Sequence, residues 1–232
     1  ETFAGKPACQ KLMAHYWGTW GAPWDFWRRY LAAYLGYCAL IDAQIGRLRV
    51  ALERAGEWEN TLFIYSADHG DMMGRHQLTD KGPYMYDDIY RIPLIARGPG
   101  MARGGNDDIV YLHDLYDTAL AASGAPPDPK SDGRSLAGAG GPPREAVFGE
   151  FDCQILTHPQ RMIRTPARKF VWNAGDISEL YDLERDPDEM TNRAQDPAYA
   201  GDKRILAERL LEHLRRTSDP LARILEAVRH GL

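Results

Sequence analysis

Thr61-Leu62-Phe63-Ile64-Tyr65-Ser66-Ala67-Asp68-His69-Gly70-Asp71 is an apolar, β-prone run that ends abruptly in a carboxylate, an imidazole and a glycine. A run of this kind suits an interior strand of a parallel sheet. In open α/β sheets, ligands sit beyond the carboxyl ends of the strands. The stretch therefore predicts an α/β fold with Asp68 and His69 at the edge where chemistry takes place. Asp68 offers a hard oxygen ligand and His69 a nitrogen ligand. Adjacent side chains reach one ion only if the backbone turns between them, and Gly70 permits that turn. Oxygen-rich ligation favours calcium or magnesium, whereas a histidine ligand favours manganese, zinc or a mixed site. The dipeptide by itself is a weak metal signal.

Upstream of this run, Leu31, Tyr34, Leu35, Cys38, Ile41, Ile45, Leu48 and Leu52 recur at three- and four-residue spacing. The spacing predicts a helix over 25–55, with Asp25 as N-cap and Gly56 as stop. Residues 1–24, rich in Gly, Pro and Trp, read as irregular. Their tryptophans and Trp27 suit aromatic core better than a pocket lining. Downstream, a polar loop over 68–83 leads to a second strand at Ile92–Arg97, which its proline confines to a strand start or a sheet edge. Residues 111–123 read as a helix and 125–144 as a long Gly/Pro loop. After about residue 145, short strands at 146–151, 160–165, 169–173 and 178–183 favour antiparallel pairing. Two helices then follow, at 203–216 and 219–229, the second opened by Asp219-Pro220. The expected division is an α/β domain over 1–145 and a small α+β subdomain over 146–232.

The polar loop holds further chemistry. Lys81 lies between Asp80 and Gly82-Pro83. A lysine near a metal places two positive centres together, which suits an oxyanion such as sulfate or phosphate. The plainer reading is a solvated surface lysine. Asp71 could orient His69 from behind, and His76 could donate a proton or structure the loop. No Ser-His-Asp order, Walker loop or GxGxxG fingerprint is present.

Composition excludes several classes. The 232 residues are 44% hydrophobic and 26% charged, as in ordinary globular proteins. A formal charge of −5 gives no reason to expect nucleic acid or an anionic membrane as partner. No apolar run reaches the ~18–20 residues that span a bilayer. The three cysteines, Cys9, Cys38 and Cys153, form no CxxC pair and no even-numbered disulfide framework. The opening Glu1-Thr2-Phe3-Ala4-Gly5-Lys6 is neither a signal peptide nor an initiator methionine, so a processed or truncated chain is expected. The compartment, cytoplasmic or periplasmic and secreted, is not legible.

The stretch Ser66-Ala67-Asp68-His69-Gly70-Asp71-Met72-Met73-Gly74-Arg75-His76-Gln77-Leu78-Thr79-Asp80-Lys81-Gly82 resembles the sulfatase family of the alkaline-phosphatase superfamily. Its flanks extend the likeness. Leu40–Leu48, Gly56 and Asn60-Thr61 are similar to the preceding helix and strand. Arg91–Ile95 is similar to the strand after it, and Leu112–Thr118 with Asp132–Leu136 to the next helix and loop. Glu179–Glu189 with Asn192 is similar to the family's C-terminal sheet. Order and spacing together are specific from about residue 35 to about 200.

The resemblance implies an alkaline-phosphatase-like mixed sheet flanked by helices, followed by a small C-terminal antiparallel sheet with helices. It implies Asp68 and His69 as metal ligands and Lys81 as the substrate-binding, catalytic contact to a sulfate ester; Asp71 and His76 stay candidates behind them on their own chemistry. The implied metal is calcium, with manganese as the alternative. It also implies a formylglycine nucleophile made from a Cys/Ser-x-Pro/Ala-x-Arg motif, and none of the three cysteines sits in one. The first pair of metal carboxylates has no counterpart either. The chain is thus expected to be the C-terminal half of a sulfuric ester hydrolase that acts on a small sulfate ester or a glycan. Its partners would be the missing N-terminal half and further copies in an oligomer, joined where residues 16–27 expose tryptophan. The alternatives are a phosphonate or phosphate ester hydrolase, or a non-catalytic chain. Without a nucleophile the polypeptide alone is expected to be inactive. Arg75 stands where the family often carries an acid.

Overall fold

The computed structural model describes residues 3–138 and 142–229. In chain order the elements are α1 (Ala8–Tyr16), α2 (Trp24–Arg54), β1 (Phe63–Ser66), α3 (Asp87–Tyr90), β2 (Leu94–Arg97), α4 (Asp114–Ser123), β3 (Val147–Gln154), β4 (Leu156–Arg164), β5 (Arg168–Asn173), β6 (Glu179–Asp182), α5 (Ala200–Arg216) and α6 (Ala222–Val228). The chain forms two compact units. One is Glu1–Ala22, Gly70–Tyr90 and Glu145–Leu232; the other is Pro23–His69 and Arg91–Arg144.

In the first unit two blocks from earlier in the chain thus join Glu145–Leu232. Phe3, Met13, Ala14, Met72, Leu78, Tyr84, Tyr86 and Ile89 bury themselves in one cluster with Tyr181 of β6. That apolar burial joins 1–22 and 70–90 to the C-terminal sheet.

This sheet is antiparallel in the order β3-β4-β5-β6. Residues opposite one another share a face. Ile163, Phe170 and Leu180 stand in one row across β4, β5 and β6. With Trp172 they pack against Leu206, Leu210, Leu211 and Leu214 of α5 and Leu225 of α6. Apolar residues of α5 at 206, 210 and 214 make one helical stripe, and His213, Arg215 and Arg216 in its last turn complement the helix dipole. The opposite face is mixed, with Met162 and Val171 packed against Met85. It carries Gln160 beside Asn173, Val171 beside Glu179, and Arg164 beside Lys169 and Tyr181.

Several expectations need correction. Residues 1–24 are not wholly irregular. Gly5, Pro7 and the tryptophans mask α1, whose buried face is Cys9, Gln10, Met13 and Ala14. Trp27 is buried, but Trp24 has 70% of its surface exposed, and Trp17 and Trp20 are also exposed. Asp219 does not cap a helix at Pro220. It accepts the Leu221 backbone N–H at 2.7 Å and the Arg161 Nε–H at 2.6 Å, and α6 starts only at Ala222.

The main correction concerns β1, which pairs antiparallel with β2, Phe63 opposite Arg97 and Ser66 opposite Leu94. All four of its residues are half-buried. An apolar run without alternation reports a tendency to burial, whereas strand direction is set by the segment that pairs with it.

In the same unit α2 runs from Trp24, preceded by Pro23, and the chain leaves it at Gly56 with φ +74°. Asp25 is inside the first turn, paired with Arg28 and Arg29, rather than at the cap. The Gly/Pro loop is tied to α4 through Asp114. This buried carboxylate takes both Arg144 Nη groups at 2.6 and 2.7 Å and the backbone N–H groups of Tyr111 and Arg134. Burial alone would raise its pKa, but Arg144 and these amides outweigh it and hold the carboxyl below the usual range. A Cβ at Gly133 would lie 1.9 Å from Asp117 Oδ2 and 3.0 Å from the His113 carbonyl oxygen, so a side chain there would displace the Asp117 carboxylate.

Candidate functional site

β1 delivers Ser66 to its end, where the hydroxyl donates to the Pro93 carbonyl at 2.9 Å. Two residues later Asp68 Oδ1 accepts the His69 backbone N–H at 3.0 Å. The imidazole Nε2 is 3.5 Å from Asp68 Oδ2. The Asp68 side chain is 83% exposed and that of His69 31%. The exposed carboxylate and the half-buried imidazole therefore lie side by side as an adjacent oxygen and nitrogen donor. This donor set fits one edge of a divalent ion's coordination shell. Among the described residues no group of three or more His, Cys, Asp or Glu side chains could hold a metal ion. A full shell requires ligands beyond these two.

Residues 70–90 belong to the other unit, and there the chain is tightly braced. Gly70 donates its N–H to the Ile89 carbonyl at 2.8 Å. A Cβ at residue 70 would fall 1.9 Å from the Asp88 carbonyl oxygen. Gly70 is thus demanded by close backbone approach, where the sequence pointed only to its freedom to turn. Asp71 Oδ1 accepts the N–H groups of Met73 at 2.8 Å and Asp80 at 3.2 Å, closing the loop from within. Met73, His76, Gln77 and Asp80 all take positive φ. Such conformations in non-glycine residues persist only where the surroundings over-determine them. Met72 and Leu78 supply that restraint by burying in the core with Tyr84 and Tyr86.

His76 is buried and stacks on Tyr86, ring centroids 4.0 Å apart and 9° from parallel. Lys81 is half-buried between Asp80 and Gly82. Gly82 lies so close under the Tyr84 ring that a Cβ would sit 2.8 Å from it. The Tyr84 hydroxyl in turn donates to the Thr79 carbonyl at 3.1 Å. The segment flanking Lys81 is therefore fixed on both sides.

Arg75 has a structural use of its own. Its Nε lies 2.9 Å from Asp88, and an Nη group pairs with Asp188. The Asp188 hydrogen bond raises the guanidinium pKa further and keeps it charged. Burial raises the Asp88 carboxyl despite the neighbouring Arg75. A basic residue at position 75 thus ties the loop to α3 and to the segment after β6.

The structure groups Asp68 with His69, and Asp71, His76 and Lys81 within a single braced loop. Residues that sequence reading passed over include Lys169, Asp87 and Glu189, all charged and largely buried. The legible signal was a lysine inside the run Arg168-Lys169-Phe170-Val171-Trp172, where a buried strand has no solvent for an ammonium group.

Comparison with known proteins identifies the class. The sulfatase family model matches residues 1–125. The model for the C-terminal region of N-sulphoglucosamine sulphohydrolase matches residues 74–216. The fold is that of the alkaline-phosphatase-like sulfatases. The chain belongs to the sulfatase family. The uncharacterised sulfatase YidJ of Escherichia coli K12 is 36% identical over 187 residues, covering 78% of this chain and 37% of that protein. The structure of BT4656 in complex with its substrate D-glucosamine-2-N,6-O-disulfate superposes with a TM-score of 0.75 at 28% identity, covering 84% of this chain and 42% of that one. The phosphonate monoester hydrolase of Agrobacterium radiobacter superposes with a TM-score of 0.69 at 34% identity, over 77% and 40% of the two chains. The chain thus spans about two fifths of the relatives it matches.

Proposed function

We propose that these residues serve a sulfuric ester hydrolase, with Lys81 as the group that binds the sulfate ester. The observation that carries this reading is the sulfatase family match over 1–125, which contains Asp68, His69 and Lys81 in the order the resemblance requires. The Lys81 ammonium offers three donors and a full charge. Aimed at the sulfate, it stabilises charge that develops as the ester bond breaks. Asp68 and His69 would hold one side of a divalent ion, calcium or alternatively manganese. When bound, that ion polarises the ester and lowers the pKa of the attacking hydroxyl. Asp71 maintains the loop, and His76 with Tyr86 keeps it packed. The formylglycine nucleophile and the remaining ligands come from polypeptide outside these 232 residues, so this chain alone has no turnover. A sulfated sugar is the proposed substrate class, by likeness to the protein solved with a disulfated glucosamine.

The experiment is turnover of aryl sulfate and aryl phosphonate by the protein that carries both this chain and the nucleophile. Lys81→Ala is expected to lower kcat/KM for the sulfate by about 10²–10³-fold. An unchanged kcat/KM would remove Lys81 from the site. The likeness to a phosphonate monoester hydrolase supports a second reading. Phosphonate efficiency equal to or above that for sulfate would favour it over the first.

A further inference from the structure

Lys169 is fully buried on β5. Its Nζ is 2.5 Å from Asp87 Oδ1, 2.7 Å from Glu189 Oε1 and 3.0 Å from the Met85 carbonyl, to which it donates. Three donors thus meet three oxygens. Asp87 also receives Arg164, through Nε at 3.0 Å and Nη2 at 2.8 Å. The second Glu189 oxygen accepts the Asp87 backbone N–H at 2.6 Å. Lys6 closes the far side by donating to the Glu189 carbonyl at 2.6 Å and the Tyr181 hydroxyl at 2.9 Å.

Such a cluster is poor value as a source of stability. Removing charges from water is costly, and well-packed apolar residues often serve as well. What an ion-paired cluster of this kind supplies is geometry, because each ion accepts few alternative placements. Four of its contacts fall on Met85 and Asp87, which are two residues apart. Pro83 and the buried Tyr84 lead from there back to Lys81. The segment on the C-terminal side of Lys81 is therefore clamped to β5, while Asp71 and Arg75 restrain the segment on its N-terminal side.

We infer that Lys169 is a positioning residue. It holds Met85–Asp87 on the C-terminal sheet and so sets where Lys81 presents its ammonium group. The inference rests on the reading of Lys81 given under the proposed function.

A double-mutant cycle in the protein carrying the nucleophile tests it. Lys169→Met is expected to lower kcat/KM for an aryl sulfate about 10²-fold, the cost of misplacing a reacting group by an ångström. In a Lys81→Ala background the same substitution should lower it less than about twofold. An equal loss in both backgrounds, or no loss in either, would overturn the inference. If Lys169→Met does not fold, Asp87→Asn takes its place in the cycle, because it leaves the Lys169–Glu189 pair intact. Amide exchange over 71–82 separates this inference from the proposed function. If Lys81→Ala has no effect on turnover, the proposed function fails. Faster exchange over 71–82 with β4 and β5 still protected would even then support positioning, and unchanged exchange would overturn it.

Discussion

Asp68, two residues past the end of β1, has 83% of its side chain in solvent, whereas Lys169, on a strand of the other unit, has none. Asp68 faces His69 at 3.5 Å, and Lys169 meets two carboxylates at 2.5 and 2.7 Å. The first arrangement is cheap to keep, since water solvates the carboxylate, and exposed pairs are worth little. The second is held by low dielectric and leaves no room for a missing partner. The chain thus keeps its candidate ligands solvated and uses buried charge to place the loop that carries Lys81.

The comparison can be broken at the brace. Gly70→Ala sets a Cβ 1.9 Å from the Asp88 carbonyl oxygen, a backbone atom with no rotamer to yield. The expected cost is about 2–3 kcal/mol, by analogy with overpacked cores. Urea unfolding measures it, and a variant as stable as its parent would mean that α3 shifts freely.

The next effect is electrostatic. Burial raises the Asp87 carboxyl, but Lys169 and Arg164 outweigh it and hold it at about 2, below its ordinary 3.8. The unfolded chain therefore binds this proton first as pH falls. The contribution of Asp87, about 2 kcal/mol, is present above pH 4 and is lost between about pH 4 and pH 2. Glu189 runs the other way, because burial raises its pKa and its ionisation at higher pH costs stability. In Asp87→Asn the acid limb between pH 4 and pH 2 should flatten. Unfolding midpoints at stepped pH provide the check, and an unchanged limb would deny Asp87 its part in the cluster.

The smallest effect belongs to the exposed corner. Asp68→Asn should leave the stability of the chain within about 0.5 kcal/mol of the parent, as surface substitutions do. It should also weaken divalent-ion binding, read by calorimetric titration. A large loss of stability would show that Asp68 is structural and end the contrast with Lys169.

Much of the second half was legible. Strands at 160–165 and 169–173 and the helix at 203–216 lie within a few residues of β4, β5 and α5, because their periodicity is local. The family was legible in Ser66–Gly82, since that loop depends on fixed spacing. The partner of β1 was not, because nothing in Phe63–Ser66 records the direction of a strand that follows more than twenty-five residues later. Nor was the reason for Gly70, whose close neighbour Asp88 is distant in sequence. Lys169 resembled an ordinary strand lysine until Asp87 and Glu189 were placed around it.

By itself, the sequence determined the mixed α/β class, the family, and the residues Asp68, His69 and Lys81 as candidates, because periodicity and motif spacing are properties of neighbouring residues. Only the tertiary structure decided that 1–22 and 70–90 join the C-terminal sheet, and that Gly70 and Arg75 brace the loop. It alone placed a buried lysine under the Lys81 segment. Those facts depend on contacts between residues far apart in the chain, and burial, which sets the strength of every charge involved, exists only once the chain is folded.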